Sequence, residues 1–375
     1  MTVQIPSSLL PLDGRFGSGP AKIRDAQLDA LLGAKRTIMG TSHRQAPVKD
    51  LVGQIRSQLR QLFDAPADYE IVLGNGGSTI FWDTVAHSLI DRRAQCLDFG
   101  VFGARLARAA SAPWLLPPSV RKADWGQLAV PEKQSDVDVY AWPQNETSTG
   151  VVAPVRRLVP AEQALVVIDA TSSAGAIAFD ARDVDAYYFA LQKNFGSEGG
   201  LWVALLSPAA IERAERLHQS KRYIPESLDL KIAADNSQKN QTLNTPALTT
   251  LLLAASQLEW MLANGGMSWA AERAKTTSSV IYDWADAHDL ARPFVTRPEL
   301  RSPTNPTIEF DARVDTKALT RLLRDHGIVD IDPYSGVGAN QLRIGTYVSV
   351  DPNDAERLVA SIDHLLPNVT ARDGE

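Results

Sequence analysis

The stretch DAYYFALQKNFGSEGGLWVALL, Asp185 to Leu206, sets two continuous apolar runs around a single lysine, Lys193. The runs, Ala186–Ala190 and Leu201–Leu206, lack the apolar–polar alternation of a half-exposed strand. They read instead as strands covered on both faces, as in a mostly parallel sheet with helices on either side. That predicts an α/β fold and makes the lysine an anomaly. A lysine at a strand end either snorkels its ammonium to water or is held there, partly desolvated, for the reactivity of its amine.

Working outward, Ala94–Phe99, Val137–Trp142 and Ala164–Ile168 are further short apolar runs, alternating with helix-like segments such as Pro208 to His218. Pro47 opens a helix whose Val48, Leu51, Val52, Ile55, Leu59, Leu62 and Phe63 follow three- and four-residue spacing. Glu70–Leu73 is a strand leading through GNGGST (74–79) into the apolar helix IFWDTVAHSLI. A long helix in TLNTPALTTLLLAASQLEWML is expected to carry Pro246 in its first turn and to stop at Asn264-Gly265-Gly266. Beyond it the pattern changes. Thr307–Phe310, Ile328–Ile331 and Gln341–Val350 read as strands, and Thr316–Asp325 as a helix closed by Gly327. A last helix starts at Asp351-Pro352 with Leu358, Val359, Ile362 and Leu365 inward. The expected division is an N-terminal arm (1–20), a large domain (21–266) and a small C-terminal α+β domain (267–375).

With 375 residues and a net charge of −6 spread over interspersed acids and bases, the chain has no basic patch for nucleic acid or a membrane surface. The one cysteine, Cys96, excludes an internal disulfide and sits in a strand without the setting of a reactive thiolate. No CxxC or HExxH spacing offers a metal site, so no metal is expected. The first residues lack a signal-peptide pattern and no run approaches a membrane span, which predicts a cytoplasmic protein. The two Asn-X-Thr sequences, at Asn145 and Asn368, read as chance in such a chain.

Three elements carry chemistry. A strand, the GNGGST loop and a helix bring free N–H groups, the positive helix end and the hydroxyls of Ser78 and Thr79 to one point, which suits a phosphate, although glycines also serve plain tight turns. In ALVVIDATSSAG, four apolar residues deliver Asp169 to a strand end, the edge where open α/β sheets bind ligands. Lys193 follows 24 residues later, past another strand end. A phosphate cradle, a strand-end acid and a desolvated lysine are together what pyridoxal 5′-phosphate requires: an anchor, a carboxylate for its pyridinium nitrogen and an amine for its aldehyde. His87, His218, His288 and His326 read as surface or helix-end residues, and Trp82, Trp202, Trp260 and Trp284 as core.

The motifs GSGP (17–20), TSHR (41–44), GNGGST, NETSTG (145–150), IDATSSAG, QKNF (192–195), GGLW (199–202), NTPA (244–247) and NQLRIG (340–345) run in order along nearly the whole chain. They resemble the actinobacterial type of phosphoserine aminotransferase, within the class V aminotransferases. The resemblance implies fold type I, a homodimer with shared active sites, and pyridoxal phosphate as cofactor. It implies Lys193 as the Schiff-base lysine and Asp169 as the pyridine partner. Gly77, Ser78 and Thr79 would form the phosphate loop, with Thr147 and Gln192 as further cofactor contacts. Phe102, in DFGVFG, falls where the family stacks an aromatic ring on the cofactor, commonly a tryptophan. Asn244 and Thr245 would reach the neighbouring subunit's cofactor phosphate, His43 and Arg44 would bind substrate, and Arg343 would hold its α-carboxylate. The implied reaction moves an amino group from glutamate, leaving 2-oxoglutarate, to 3-phosphohydroxypyruvate in serine biosynthesis.

One segment departs from the family pattern. Where basic residues are expected before NQLR, this chain has PYSGVGANQLR, with Ser335, Gly336 and Ala339. That leaves open an aminotransferase for a small nonphosphorylated 2-oxo acid. More distant alternatives are a lyase or racemase using the same cofactor and a noncatalytic cofactor-binding protein.

Overall fold

The apolar runs become one seven-stranded sheet in the computed structural model, which describes residues 3–157, 164–338 and 340–371. Its strands are β1 (Glu70–Asn75), β2 (Ala94–Asp98), β3 (Ser119–Lys122), β4 (Val139–Pro143), β5 (Leu165–Asp169), β6 (Ala186–Ala190) and β7 (Leu201–Leu206), in the order β1-β7-β6-β5-β4-β2-β3. Strands β6, β5, β4, β2 and β3 pair in parallel, and β7 pairs antiparallel to both β6 and β1. Six strands therefore run one way and β7 alone is reversed. The reversal follows from the short LQKNFGSEGG connection between β6 and β7, which has no crossover helix and can only return the chain.

Alternate side chains enter two cores. Tyr187, Phe189, Val203 and Leu205 face one hydrophobic cluster, while Ala186, Tyr188, Trp202 and Ala204 face the other. Every residue of β4, β5, β6 and β7 is buried, as continuous apolar runs require. Asp185, just ahead of β6, is a structural charge: it accepts from the Val166 N–H at 2.8 Å, the Ser207 hydroxyl at 2.8 Å and Arg157 at 3.0 Å.

A second, antiparallel sheet consists of β8 (Ala291–Pro293), β9 (Thr307–Phe310) and β10 (Gln341–Arg343). Helices Thr316–Asp325 and Pro352–Leu365 share its hydrophobic cluster, with Leu358, Ile362 and Leu365 fully buried and Val359 partly so. Ile5 and Phe16 of the N-terminal segment are buried in that same cluster.

Three sequence expectations need correction. Pro246 precedes its helix, which begins at Leu248. The Thr245 carbonyl accepts from Asn75 and the Asn244 carbonyl from Thr242, so neither is free to start the helical ladder. Ile328–Ile331 is not a strand: Val329 makes one bridge to Arg15, and Asp330 adopts φ 65°. Gln341–Val350 is a strand only to Arg343, because the amides of Ile344, Gly345 and Thr346 turn to the carbonyls of Pro306, Phe16 and Thr304. The rest of that run is apolar because it is buried, not because it is pleated. Asn264-Gly265-Gly266 does stop its helix, and Gly265 at φ 116° lets the next one, Gly266–Ala287, start at once.

Candidate active site

The sheet gathers its chemistry along one edge. β1 ends in the glycine loop, β2 leads to Phe102, β4 leads to Asn145–Thr147, β5 ends at Asp169, and β6 leads to Lys193. All five strands point the same way, so these loops lie together at their carboxyl ends.

Lys193 is buried at 7% exposure, its Nζ 3.4 Å from Thr147 Oγ1, 5.8 Å from the centre of the Phe102 ring and 6.0 Å from that of Tyr347. Burial lowers its amine to about 8, helped by the positive charge of Arg343 and opposed by the carboxylates of Asp169 and Glu146. The lysine of the opening stretch therefore does not snorkel to water.

Asp169 accepts from the Trp82 indole N–H at 2.8 Å and the Thr171 N–H at 2.9 Å, and from the Thr171 hydroxyl. Burial raises its carboxyl above the usual range, against the lowering effect of those donors and of Lys193. A cationic N–H placed against it would restore the ionised form. Thr171 Oγ1 also reaches Ser78 Oγ, which ties Asp169 to the glycine loop. Gly77 is the N-cap of helix Ser78–Ser88 and supplies no side-chain acceptor, leaving that helix end open to an anion. Ser78 is buried and Thr79 exposed.

Arg343 faces the Lys193 amine as a like charge. One guanidinium nitrogen donates to the Thr147 carbonyl at 3.2 Å, its Nε has no partner, and the group stacks over Tyr334 at 4.9 Å. Among the described residues no carboxylate pairs with it. Burial lowers the pKa of Arg343 while Tyr347, Tyr334 and the Glu146 carboxylate raise it, and with no carboxylate paired to it the guanidinium is left to capture one. Phe102 is part-buried and meets Tyr334 edge-on at 5.7 Å. Gln192 is also part-buried, with its Oε1 lacking a partner and its carbonyl accepting from the Ala21 N–H at 2.7 Å.

Since Asp169 and Arg343 push the Lys193 amine in opposite directions, their removal has opposite effects. In the full-length protein freed of cofactor, reductive methylation of Lys193 followed by NMR titration should give a midpoint near 8. Asp169→Asn should lower it and Arg343→Gln should raise it. A midpoint at the ordinary lysine value of 10.5 would contradict the buried setting.

Residues 129–330 match the family model of class-V aminotransferases. A phosphoserine aminotransferase of Nocardioides sp. is 51% identical over 370 residues, covering 98% of this chain and 99% of its own. The chain belongs to the class-V aminotransferase family. Its fold matches the crystal structure of a phosphoserine aminotransferase from Cytophaga hutchinsonii with a TM-score of 0.86 at 21% identity, covering 93% of this chain and 97% of that one. A phosphoserine aminotransferase from Bacillus circulans matches at 0.81 and 20% identity, covering 94% and 98%. The expected fold and the resemblance are thus borne out. An aminotransferase exchanges an amino group between an amino acid and a 2-oxo acid.

In this class-V aminotransferase the donor set fits pyridoxal 5′-phosphate: a buried low-pKa amine, a buried carboxylate whose ionised form a cation's N–H would favour, and an uncapped helix end joined to that carboxylate through Thr171. His43, Arg44, Asn244 and Thr245 form a separate group. His43 Nδ1 lies 3.1 Å from Thr245 Oγ1, Arg44 donates to Gln241 at 2.6 Å, and Arg44, Asn244 and Thr245 are exposed. Asn75, at the foot of the glycine loop, bonds the Thr245 carbonyl at 2.9 Å, so this group flanks the phosphate end of the site without touching Lys193. Ser335 and Gly336 are exposed, and Ala339 lies outside the described residues.

The sequence reading missed several contributors. Trp82 was expected as core and is buried, yet its indole serves Asp169. Glu146 accepts from the N–H groups of Phe102, Gly103 and Ser148, fixing the loop that carries Phe102. A Cβ on Gly100 would lie 2.4 Å from the Glu146 side chain, so that close approach requires glycine. NETSTG signalled the segment, but nothing local showed where its glutamate turns. Cys96 is buried and its thiol is pushed up to about 12, as an inert strand residue would be. The four histidines stand at helix ends, as expected.

Proposed function

We propose that this chain is a pyridoxal-phosphate-dependent phosphoserine aminotransferase, exchanging glutamate and 3-phosphohydroxypyruvate for 2-oxoglutarate and O-phosphoserine in serine biosynthesis. The observation that carries the reading is the pairing of a buried amine near pKa 8 with an anion-deficient Arg343, in a chain 51% identical to a phosphoserine aminotransferase over almost its whole length. The bound cofactor supplies an electron sink for the charge that develops at the substrate α-carbon.

The chain's own groups do the rest. With the cofactor bound, Lys193 would be the group that carries the proton from the substrate α-carbon, its pKa lowered to about 8 leaving a share of the amine unprotonated near neutral pH. Asp169 holds a proton at the ring nitrogen, with Trp82 and Thr171 fixing its carboxylate. Gly77, Ser78 and Thr79 bind the phosphate, with Thr147 and Gln192 as further contacts, Phe102 covers the ring, and Arg343 orients the α-carboxylate. The group of His43 with the exposed Arg44, Asn244 and Thr245 suits the site of a second copy, and we infer a cytoplasmic homodimer with shared sites. The arm (1–20), large (21–266) and small (267–375) domains are the division we adopt. Among the described residues no helix is long and apolar enough to cross a membrane.

The acceptor is tested with a panel of 2-oxo acids and glutamate as donor. At least about tenfold higher kcat/KM for 3-phosphohydroxypyruvate than for its nonphosphorylated analogue, hydroxypyruvate, is expected, corresponding to roughly 1.4 kcal/mol from charge-assisted contacts to the phosphate. A preference for the analogue would replace the phosphoserine assignment and make PYSGVGANQLR its explanation.

A further inference from the structure

Behind Lys193 a chain of buried hydrogen bonds leaves the site. The Thr147 hydroxyl, which receives the amine, donates to Ser172 Oγ at 2.7 Å, and Ser172 donates to the Asn145 carbonyl at 3.1 Å. The Asn145 amide donates to Ser172 Oγ at 2.8 Å and to Asn305 Oδ1 at 2.9 Å. Asn305 donates in turn to the Tyr347 hydroxyl at 3.0 Å, which donates to the Ser18 carbonyl at 2.8 Å.

The roles are consistent from end to end. Each hydroxyl has one proton and commits it away from Lys193, so Thr147 Oγ1 offers the amine only lone pairs. Every member is buried, with Asn305 at 0% and Tyr347 at 1% exposure, so no member can exchange its partner for water without cost. The members come from three places. Asn145 lies in a two-residue strand (Asn145–Glu146) and Ser172 in the turn after Asp169, both at the edge of the large sheet, Asn305 and Tyr347 in segments flanking the small one, and Ser18 in the N-terminal segment.

We propose that Asn305 and Tyr347 are positioning residues for Lys193, holding the Thr147 acceptor in place so that the amine is set only when the small sheet and the N-terminal segment are seated against the large sheet. The inference rests on Lys193 being the reactive amine, whichever acceptor is used.

Tyr347→Phe removes one hydroxyl and keeps the ring. Tyr187→Phe is its control: Tyr187 is a fully buried tyrosine whose hydroxyl donates to Gln144 at 2.8 Å, off this chain of bonds. With holoenzyme, the glutamate half-reaction is followed in single turnovers, and the visible band is titrated against pH. Tyr347→Phe should slow the half-reaction roughly 5- to 20-fold, with glutamate affinity within about twofold, the cost of one buried hydrogen bond. Its titration midpoint should move by more than about 0.3 unit. Tyr187→Phe should leave rate and midpoint within error, whatever it does to the melting temperature. The charges facing Lys193, on Asp169, Glu146 and Arg343, are the same in both variants, so a shifted midpoint reports the lost connection. Should Tyr347→Phe fail to fold, Asn305→Ser cuts the same chain and is held to the same criteria. Equal behaviour of the relay variant and the control would overturn the proposal. Loss of the pH-sensitive band only in Lys193→Ala separates that result from a failure of the Lys193 assignment.

Discussion

Lys193→Ala is expected to lower transamination by roughly 10⁴-fold or more, because one substitution removes both the covalent anchor of the cofactor and the proton carrier at the α-carbon. Borohydride treatment followed by peptide mass mapping should find the reduced cofactor on Lys193 in the parent protein and nowhere in the variant. A linkage that survives in the variant would remove the mechanism. Unfolding is not expected to confuse the result. The buried amine has its pKa lowered in the folded chain, so its ammonium weighs against folding at neutral pH. Between about 8 and the ordinary 10.5 only the unfolded chain binds the proton, so the contribution of Lys193 to stability improves as pH rises through that window. Removing it relieves that penalty near pH 7, offsetting part of the packing lost with the side chain.

Asp169→Ala is expected to slow turnover by roughly 10²- to 10³-fold and to weaken cofactor binding about 10- to 100-fold, in line with about 1.5–3 kcal/mol for a charge-assisted hydrogen bond. The alanine also strands the Trp82 indole N–H and the Thr171 N–H, while the Thr171 hydroxyl can still donate to Ser78. Asp169→Asn separates the two effects in part, since its amide oxygen can still accept from the Thr171 donors while its NH2 faces the Trp82 indole N–H and the charge is gone. If charge is what matters, the asparagine variant should bind cofactor better than the alanine variant yet remain slow. Near-normal turnover in both, measured at saturating cofactor, would contradict the pyridine-nitrogen role.

Much of this site could be read along the chain because its parts are local. A run such as LVVID carries its own strand signal and places Asp169 at the strand end without help from distant residues. The same holds for AYYFA before Lys193 and for the strand, glycine loop and helix around GNGGST. Errors fell where distant partners override local pattern. The apolar run after Arg343 is not pleated because its amides find Pro306, Phe16 and Thr304, and Pro246 lies outside its helix because Asn75 and Thr242 hold the carbonyls ahead of it.

The sequence by itself determined the α/β class, the placement of Asp169 and Lys193 just past strand ends, and the cofactor they suit, since short continuous apolar runs mark buried, mostly parallel strands and the residues that follow them. The tertiary structure alone decided how those groups are tuned. Trp82 reaches Asp169 across 87 residues, Arg343 reaches the Thr147 carbonyl across 196, and Tyr347 reaches Ser18 across 329. Contacts at such separations depend on how whole layers pack, which leaves no periodic trace in any one segment. The lysine in QKNF therefore announces its chemistry locally, while its pKa, its partner Arg343 and the support behind Thr147 exist only once the two sheets and the N-terminal segment meet.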